Sequence, residues 1–194
     1  MRCYILAGGQ SRRMGRSKLT MPFGDSTFLD RIVDVALASF DDVAAVQRFG
    51  DPPLPRVATI FEPQRQESAP IFGVLRALED GAGKCFILAA DYPLMTAQLL
   101  RFLRERAESS PALLIAPRWS GKLQMLCAAY DAQLRSDLMR RIAAGRLDLR
   151  GLVDDARSEI VEEEELRQKF DGEPLLNVNT PVELERAREL DARR

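Results

Sequence analysis

Cys3-Tyr4-Ile5-Leu6-Ala7 runs without a break into Gly8-Gly9-Gln10-Ser11-Arg12-Arg13-Met14-Gly15-Arg16-Ser17-Lys18. The five-residue apolar run has the length of a buried strand and is too short for a helix. In an open α/β sheet, ligands collect at the carboxyl ends of strands. Gly8 and Gly9 lack a Cβ, so their N–H groups can approach an anion closely. Successive amides of this kind form a nest suited to phosphate. Arg13 adds a planar fork and Lys18 a point charge. A basic surface turn would also explain two glycines and several arginines. The position at the end of a buried first strand favours the phosphate reading. The spacing is neither GxxxxGK[ST] nor GxGxxG, which excludes a Walker loop and a dinucleotide fingerprint.

Outward from this stretch, short apolar runs alternate with longer amphipathic ones. Residues 27–40 predict a helix, with Phe28, Leu29, Ile32, Val33, Ala36 and Leu37 on one face. Strands are expected over 43–46, 56–61, 85–90, 113–116 and 126–129. Helices are expected over 71–78, from a Thr96 cap to about residue 107, over 132–144 and over 181–190. Pro181 stands at the first turn of the last one. Residues 161–170 are mixed, and the run Glu162–Glu165 reads as a solvated helix start. The alternation predicts an α/β fold: a mainly parallel sheet with helices on both faces, in one domain over residues 1–194.

The 194 residues carry 28 basic and 29 acidic side chains, so no global charge directs the chain to nucleic acid or an anionic membrane. There is no histidine, which removes histidine triads, histidine metal ligands and a histidine base. Cys3, Cys85 and Cys127 form neither a disulfide framework nor a CxxC zinc site; Cys3 and Cys85 read as buried core thiols. No stretch approaches the roughly 18 apolar residues of a membrane span, and no signal peptide is visible, so a cytoplasmic protein is expected.

Phe86-Ile87-Leu88-Ala89-Ala90 leads straight into Asp91-Tyr92-Pro93. A buried strand would deliver the Asp91 carboxylate to the same sheet edge as the glycine loop. There it could hold Mg²⁺, which takes much of its shell from substrate phosphates and water. A cap before Pro93 would explain Asp91 as well. In Leu176-Asn177-Val178-Asn179-Thr180-Pro181, Asn179 or Thr180 caps the last helix, which leaves Asn177 spare to reach the same edge.

Together these segments resemble the bacterial molybdenum cofactor guanylyltransferase family. Leu6–Lys18 is similar to its LAGGxSxRMGxxK loop, Asp91-Tyr92-Pro93 to its aspartate-x-Pro strand end, and Asn177–Pro181 to its NxNTP segment. Ala69-Pro70-Ile71-Phe72-Gly73-Val74-Leu75 is similar to its Gly-Pro-Leu-x-Gly-Val/Met-Leu stretch. The resemblance implies a nucleotide-diphospho-sugar-transferase-like, Rossmann-like sandwich. It implies transfer of GMP from GTP to molybdopterin with release of pyrophosphate, with Mg²⁺ as cofactor. GTP and molybdopterin are the implied substrates, and molybdoenzyme maturation proteins further partners. Leu6, Ala7, Gly8 and Gly9 would hold the nucleotide, Lys18 its phosphates, and Asp91 both metal and GTP; the charge of Arg13 would join Lys18 in offsetting that of the leaving pyrophosphate. Related cytidylyltransferases typically read Leu-Ala-Ala-Gly, so Gly8 would leave room for a purine.

The chain departs from the family where Gln47 replaces an asparagine and Glu62 an aspartate, each one methylene longer. Gln124-Met125 stands where members carry Gln-Pro or His-Pro. Arg146 and Arg150 are candidates, with Asn177 and Asn179, for the acceptor's anionic groups; surface arginines are the plain alternative. Rival readings are a molybdopterin cytidylyltransferase, another nucleotidyltransferase of the fold, and a non-catalytic cofactor-delivery adaptor.

Overall fold

The computed structural model describes residues 1–8 and 20–193. Its first half comprises β1 (Arg2–Leu6), β2 (Pro22–Phe23), β3 (Ser26–Thr27), α1 (Phe28–Leu37), β4 (Val43–Gln47), β5 (Ala58–Phe61), α2 (Pro70–Asp80) and β6 (Cys85–Ala89). There follow α3 (Ala97–Ser109), β7 (Leu114–Trp119), β8 (Lys122–Leu123), β9 (Cys127–Tyr130), α4 (Arg135–Ala143), α5 (Leu152–Asp155), β10 (Ser158–Val161), α6 (Glu163–Lys169) and α7 (Pro181–Asp191).

The sheet runs β10-β7-β9-β6-β1-β4-β5, with β8 paired to β7. β1 is parallel to both β4 and β6, β5 is parallel to β4, and β10 to β7. β9 runs against both its sheet neighbours, β6 and β7, and the short β8 runs against β7. Every residue of β4 and β6 is buried, as a sheet covered on both faces requires. One core holds Ile32, Val33, Leu99, Leu100 and Leu166, from α1, α3 and α6. The opposite core holds Ile71, Val74, Leu138 and Leu152, from α2, α4 and α5. A smaller cluster joins the β2–β3 hairpin to α7, with Phe23 edge-on to Phe28 at 5.1 Å. The mainly parallel α/β expectation holds.

Local chemistry sets the boundaries. Thr27 and Thr96 accept hydrogen bonds from the amides of Asp30 and Leu99, three residues on. α1 ends at Leu37 rather than residue 40, because its last turn tightens: Ser39 N donates to the Ala36 carbonyl and Ser39 Oγ to that of Val35. The helix expected from residue 132 begins as a 3-10 turn capped by Asp131, and α4 starts at Arg135. The acidic run opens α6 as expected, but Glu162, Glu163 and Glu165 also pair with Arg118, Arg167 and Arg106. Cys3, Cys85 and Cys127 are buried free thiols.

Candidate active site

Pairing aligns the strand ends. Leu6 sits opposite Val46 and Ala89, and Val46 opposite Ile60. Gly8, Gln47, Glu62 and Asp91 each follow that row by one or two residues, so four strands deliver them to one edge. The chain leaves β1 toward β4 and β5, then returns to β6 on the other side of β1. The crevice between β1 and β6 is thus a topological switch point, where such sheets bind ligands. The ladder continues past the strands: Ala7 N donates to the Val46 carbonyl at 3.0 Å and Glu62 N to that of Gln47 at 2.8 Å.

On the β1–β4–β5 side the groups are close-packed. Ala7 is 4% exposed and Leu6 packs against the α2 core, so both offer backbone rather than side chain. A Cβ on Gly8 would lie 3.1 Å from Cγ of Arg48 and 3.2 Å from its backbone nitrogen. The missing methyl at Gly8 therefore lets the backbone just past β1 lie close against the end of β4. Gln47 is 4% exposed, and its Oε1 is buried with no hydrogen-bond partner among the described residues. Such an acceptor calls for an N–H or O–H donor from a ligand. Burial pushes the Glu62 carboxyl above the ordinary glutamate range; Arg48 and Arg65 oppose this and Asp51 adds to it. Glu62 Oε1 lies 3.2 Å from where a Cβ on Gly73 would stand, so glycine in α2 lets the helix approach the carboxylate.

On the β6 side, Val178 N donates to the Asp91 carbonyl at 3.0 Å. This bond brings the Asn177–Asn179 segment beside Asp91, and the Asn179 side-chain Nδ2 donates to the Asn177 side-chain oxygen. Thr180 caps α7 in a reciprocal box with Glu183. The spacing Thr180-x-x-Glu183 is the sequence signal for that box. Among the described residues no three acidic, cysteine or histidine side chains gather into a metal cage. The donors at hand are the Asp91 carboxylate and the two asparagine oxygens, hard ligands that suit Mg²⁺ held jointly with a triphosphate.

A cleft of about 770 Å³ opens next to Asp91, from Pro70 and Tyr92 to Arg150. Asn177, Asn179 and Arg150 line it; Arg146 is not among its lining residues. Burial, and then the charge of Asp91, keep the Tyr92 phenol well above the usual tyrosine value, so it donates, to Gln124 Oε1 at 3.1 Å. Lys122, Gln124 and Arg186 also line the cleft, and sequence reasoning did not single out Lys122 or Arg186. Nothing local distinguishes them from other surface cations; only the fold brings them together. The expected contacts Gly9, Arg13 and Lys18 lie outside the described residues.

The profile of the MobA-like NTP transferase domain matches residues 3–160. The chain is 33% identical over 189 residues to a probable molybdenum cofactor guanylyltransferase of Mycolicibacterium paratuberculosis, covering 93% of this chain and 91% of that one. A Mycobacterium marinum protein of the same description is 29% identical over 186 residues, covering 93% and 89%. The crystal structure of molybdopterin-guanine dinucleotide biosynthesis protein A from Archaeoglobus fulgidus superposes with a TM-score of 0.82 at 22% identity, over 100% of both chains. The 4-diphosphocytidyl-2C-methyl-D-erythritol synthase of Anaerococcus prevotii shares the fold at a TM-score of 0.68 and 11% identity, over 100% and 96%.

Proposed function

The chain belongs to the MobA-like NTP transferase domain family, and from that premise we propose that it transfers GMP from GTP to molybdopterin, releasing pyrophosphate. The observation that carries the reading is the convergence of Gly8, Gln47, Glu62 and Asp91 on one sheet edge, beside a cleft large enough for a second substrate. The backbone of Leu6, Ala7, Gly8 and Gly9 borders the nucleotide, with Gln47 and Glu62 toward its donor groups. Arg13 and Lys18 neutralise the triphosphate. The acceptor's phosphate oxygen attacks the α-phosphorus, and the bond from that phosphorus to the bridging oxygen of the β-phosphate breaks in line. The attacking oxygen is already anionic, so no side chain need remove a proton, which suits a chain without histidine. The protein's work is therefore positioning and charge stabilisation. When Mg²⁺ is bound, Asp91 would hold it, with Asn177 and Asn179 beside it, and the ion would offset charge on the leaving pyrophosphate.

Residues 1–194 act as one nucleotidyltransferase domain, with Arg31 of α1 paired to Asp191 of α7 at 2.7 Å. Among the described residues no helix is long and apolar enough to cross a membrane. The free thiols suit a reducing compartment, and the cytoplasm is the expected location. The deciding experiment measures pyrophosphate release with molybdopterin and GTP or CTP, in Mg²⁺ and in chelator. Turnover with GTP only in Mg²⁺ supports the reading; exclusive use of CTP, or none with either nucleotide, overturns it.

A further inference from the structure

The cleft beside Asp91 carries more positive charge than its own acids can answer. Lys122, Arg150 and Arg186 line it, and among the described residues none of their side chains has a hydrogen bond or ion pair. The two acids in the lining are committed elsewhere. Asp148 is held by Arg141, and Glu183 accepts from the amides of Asn179 and Thr180.

Each cation stands on a segment whose own shape is locked. Arg150 follows Asp148, and the buried Arg141 ties that loop down. Its Nη2 donates to the Asp148 carboxylate at 2.9 Å and carbonyl at 3.1 Å, and its Nη1 to Asp155 at 2.8 Å. The other Asp148 oxygen accepts from Gly151 N at 3.0 Å. A Cβ on Gly151 would fall 2.6 Å from Nη1 of Arg141, and a guanidinium tied at three points cannot swing aside cheaply. Lys122 pairs with Trp119 across a two-residue turn in which Ser120 and Gly121 both have positive φ, 49° and 69°, the requirement of a tight hairpin. Gly121 N is pinned to Glu163 at 3.1 Å. Gln124 donates to the carbonyls of Trp119 and Lys122 while accepting from Tyr92, so the hairpin is tied back toward Asp91. Arg186 sits in α7, whose start is fixed by the Thr180–Glu183 box.

We propose that Lys122, Arg150 and Arg186, carried on tied-down backbone segments, clamp the anionic groups of the acceptor, and that Arg141 is a positioning residue for the segment bearing Arg150. The assignment rests on the transferase reading above, and it names the part of the site that receives the phosphorylated co-substrate. Backbone segments fixed before binding leave only side-chain freedom to be lost on binding, and a concave wall focuses the field of the three charges.

The test uses the full chain with single variants K122Q, R150Q, R186Q and G151A. The expected result is a rise of about tenfold in KM for molybdopterin per lost charge, the scale of a charged hydrogen bond, with KM for GTP unchanged. G151A should raise the molybdopterin KM with kcat held within about twofold, whereas general loosening would move both substrates and lower the melting temperature. Unchanged molybdopterin KM in all three charge variants, or a rise in GTP KM instead, overturns the clamp. A second arm titrates inorganic phosphate and reads amide shifts at residues 120–124 and 147–151. Shifts there that vanish in the triple charge variant sustain the clamp even if the wild type fails to use molybdopterin, an outcome that sinks only the transferase reading. No shifts there, or shifts the triple variant retains, overturn it.

Discussion

The amide of Val178 donates to the carbonyl of Asp91 at 3.0 Å, joining the segment before α7 to the end of β6 across 87 positions of chain. That bond makes Asn177, Asn179 and Asp91 one wall. Asp91→Asn keeps the backbone bond and the side-chain shape while removing the charge. Transfer should fall on the order of 10²- to 10³-fold, the scale of losing one electrostatic contact in a preorganised site. The melting temperature should be nearly unchanged, and the variant should lose most of its response to added Mg²⁺. Near-normal turnover by Asp91→Asn in a pyrophosphate-release assay would remove the metal assignment.

Gln47 gives a prediction of opposite sign for stability and binding. Its buried, unpartnered Oε1 leaves an unmet desolvation cost of about 1–3 kcal/mol. Gln47→Met fills the same volume without the polar atom. The ligand-free variant should therefore melt higher, by about 2–4 °C per kcal/mol gained in a chain of this size. Its affinity for GTP should drop, because the ligand donor then faces a thioether. Calorimetry and a GTP titration check the two halves separately, and a variant that is both less stable and unimpaired in GTP binding would contradict the assignment.

Much of this edge could be read before any fold was known, because it follows from where apolar runs stop. Gly8, Asp91 and Glu62 each stand just past a β-length apolar run, and parallel strands put such residues on one side. Threonine caps and Pro181 marked helix starts for the same local reason. The direction of β9 was not legible, since an apolar strand carries no mark of its orientation. Nor was β10, an edge strand whose Ser158 and Glu159 break the apolar pattern. The tie from Arg141 to Asp148 and Asp155 depends on a turn closing across residues 143–151, and Arg141 looks in sequence like any helix-surface arginine. Gly8 shows the converse: its place at the edge was readable, while the close approach of Arg48 to it, from the end of β4, was not.

Glu62 links pH to both folding and binding. Its carboxyl is raised chiefly by burial, against the pull of Arg48 and Arg65. A raised carboxyl stabilises the fold below its unfolded value, and that contribution is lost as pH rises through the folded one. GTP binding should run the other way if the ionised carboxylate accepts from the nucleotide: affinity falls as pH drops through the same raised value. Glu62→Gln should flatten both curves. Melting temperature and GTP affinity measured from pH 4 to pH 8 check this, and parallel rather than opposed trends in the wild type would count against the role.

Gly73→Ala tests whether α2 sets the position of that carboxylate. Alanine in a helix interior gains about 1 kcal/mol over glycine. The new methyl, however, would meet Glu62 Oε1 and Leu6 Cδ2, each at 3.2 Å. Leu6 is packed in the core on the α2 side, whereas the Glu62 carboxylate is half-buried and can turn away, so Glu62 should give first. Stability should therefore change by less than about 1 kcal/mol, with propensity and crowding opposed. The KM for GTP should rise several-fold while kcat changes little, because the displaced group binds nucleotide and does not touch the reacting phosphorus. A double-mutant cycle isolates the cause, since contacting residues couple and distant ones add. In a Glu62→Gln background, where the accepting carboxylate is already gone, Gly73→Ala should have almost no further effect on GTP. An undiminished effect there would trace the loss to Leu6 and the first loop, and Glu62 would drop out of the nucleotide site.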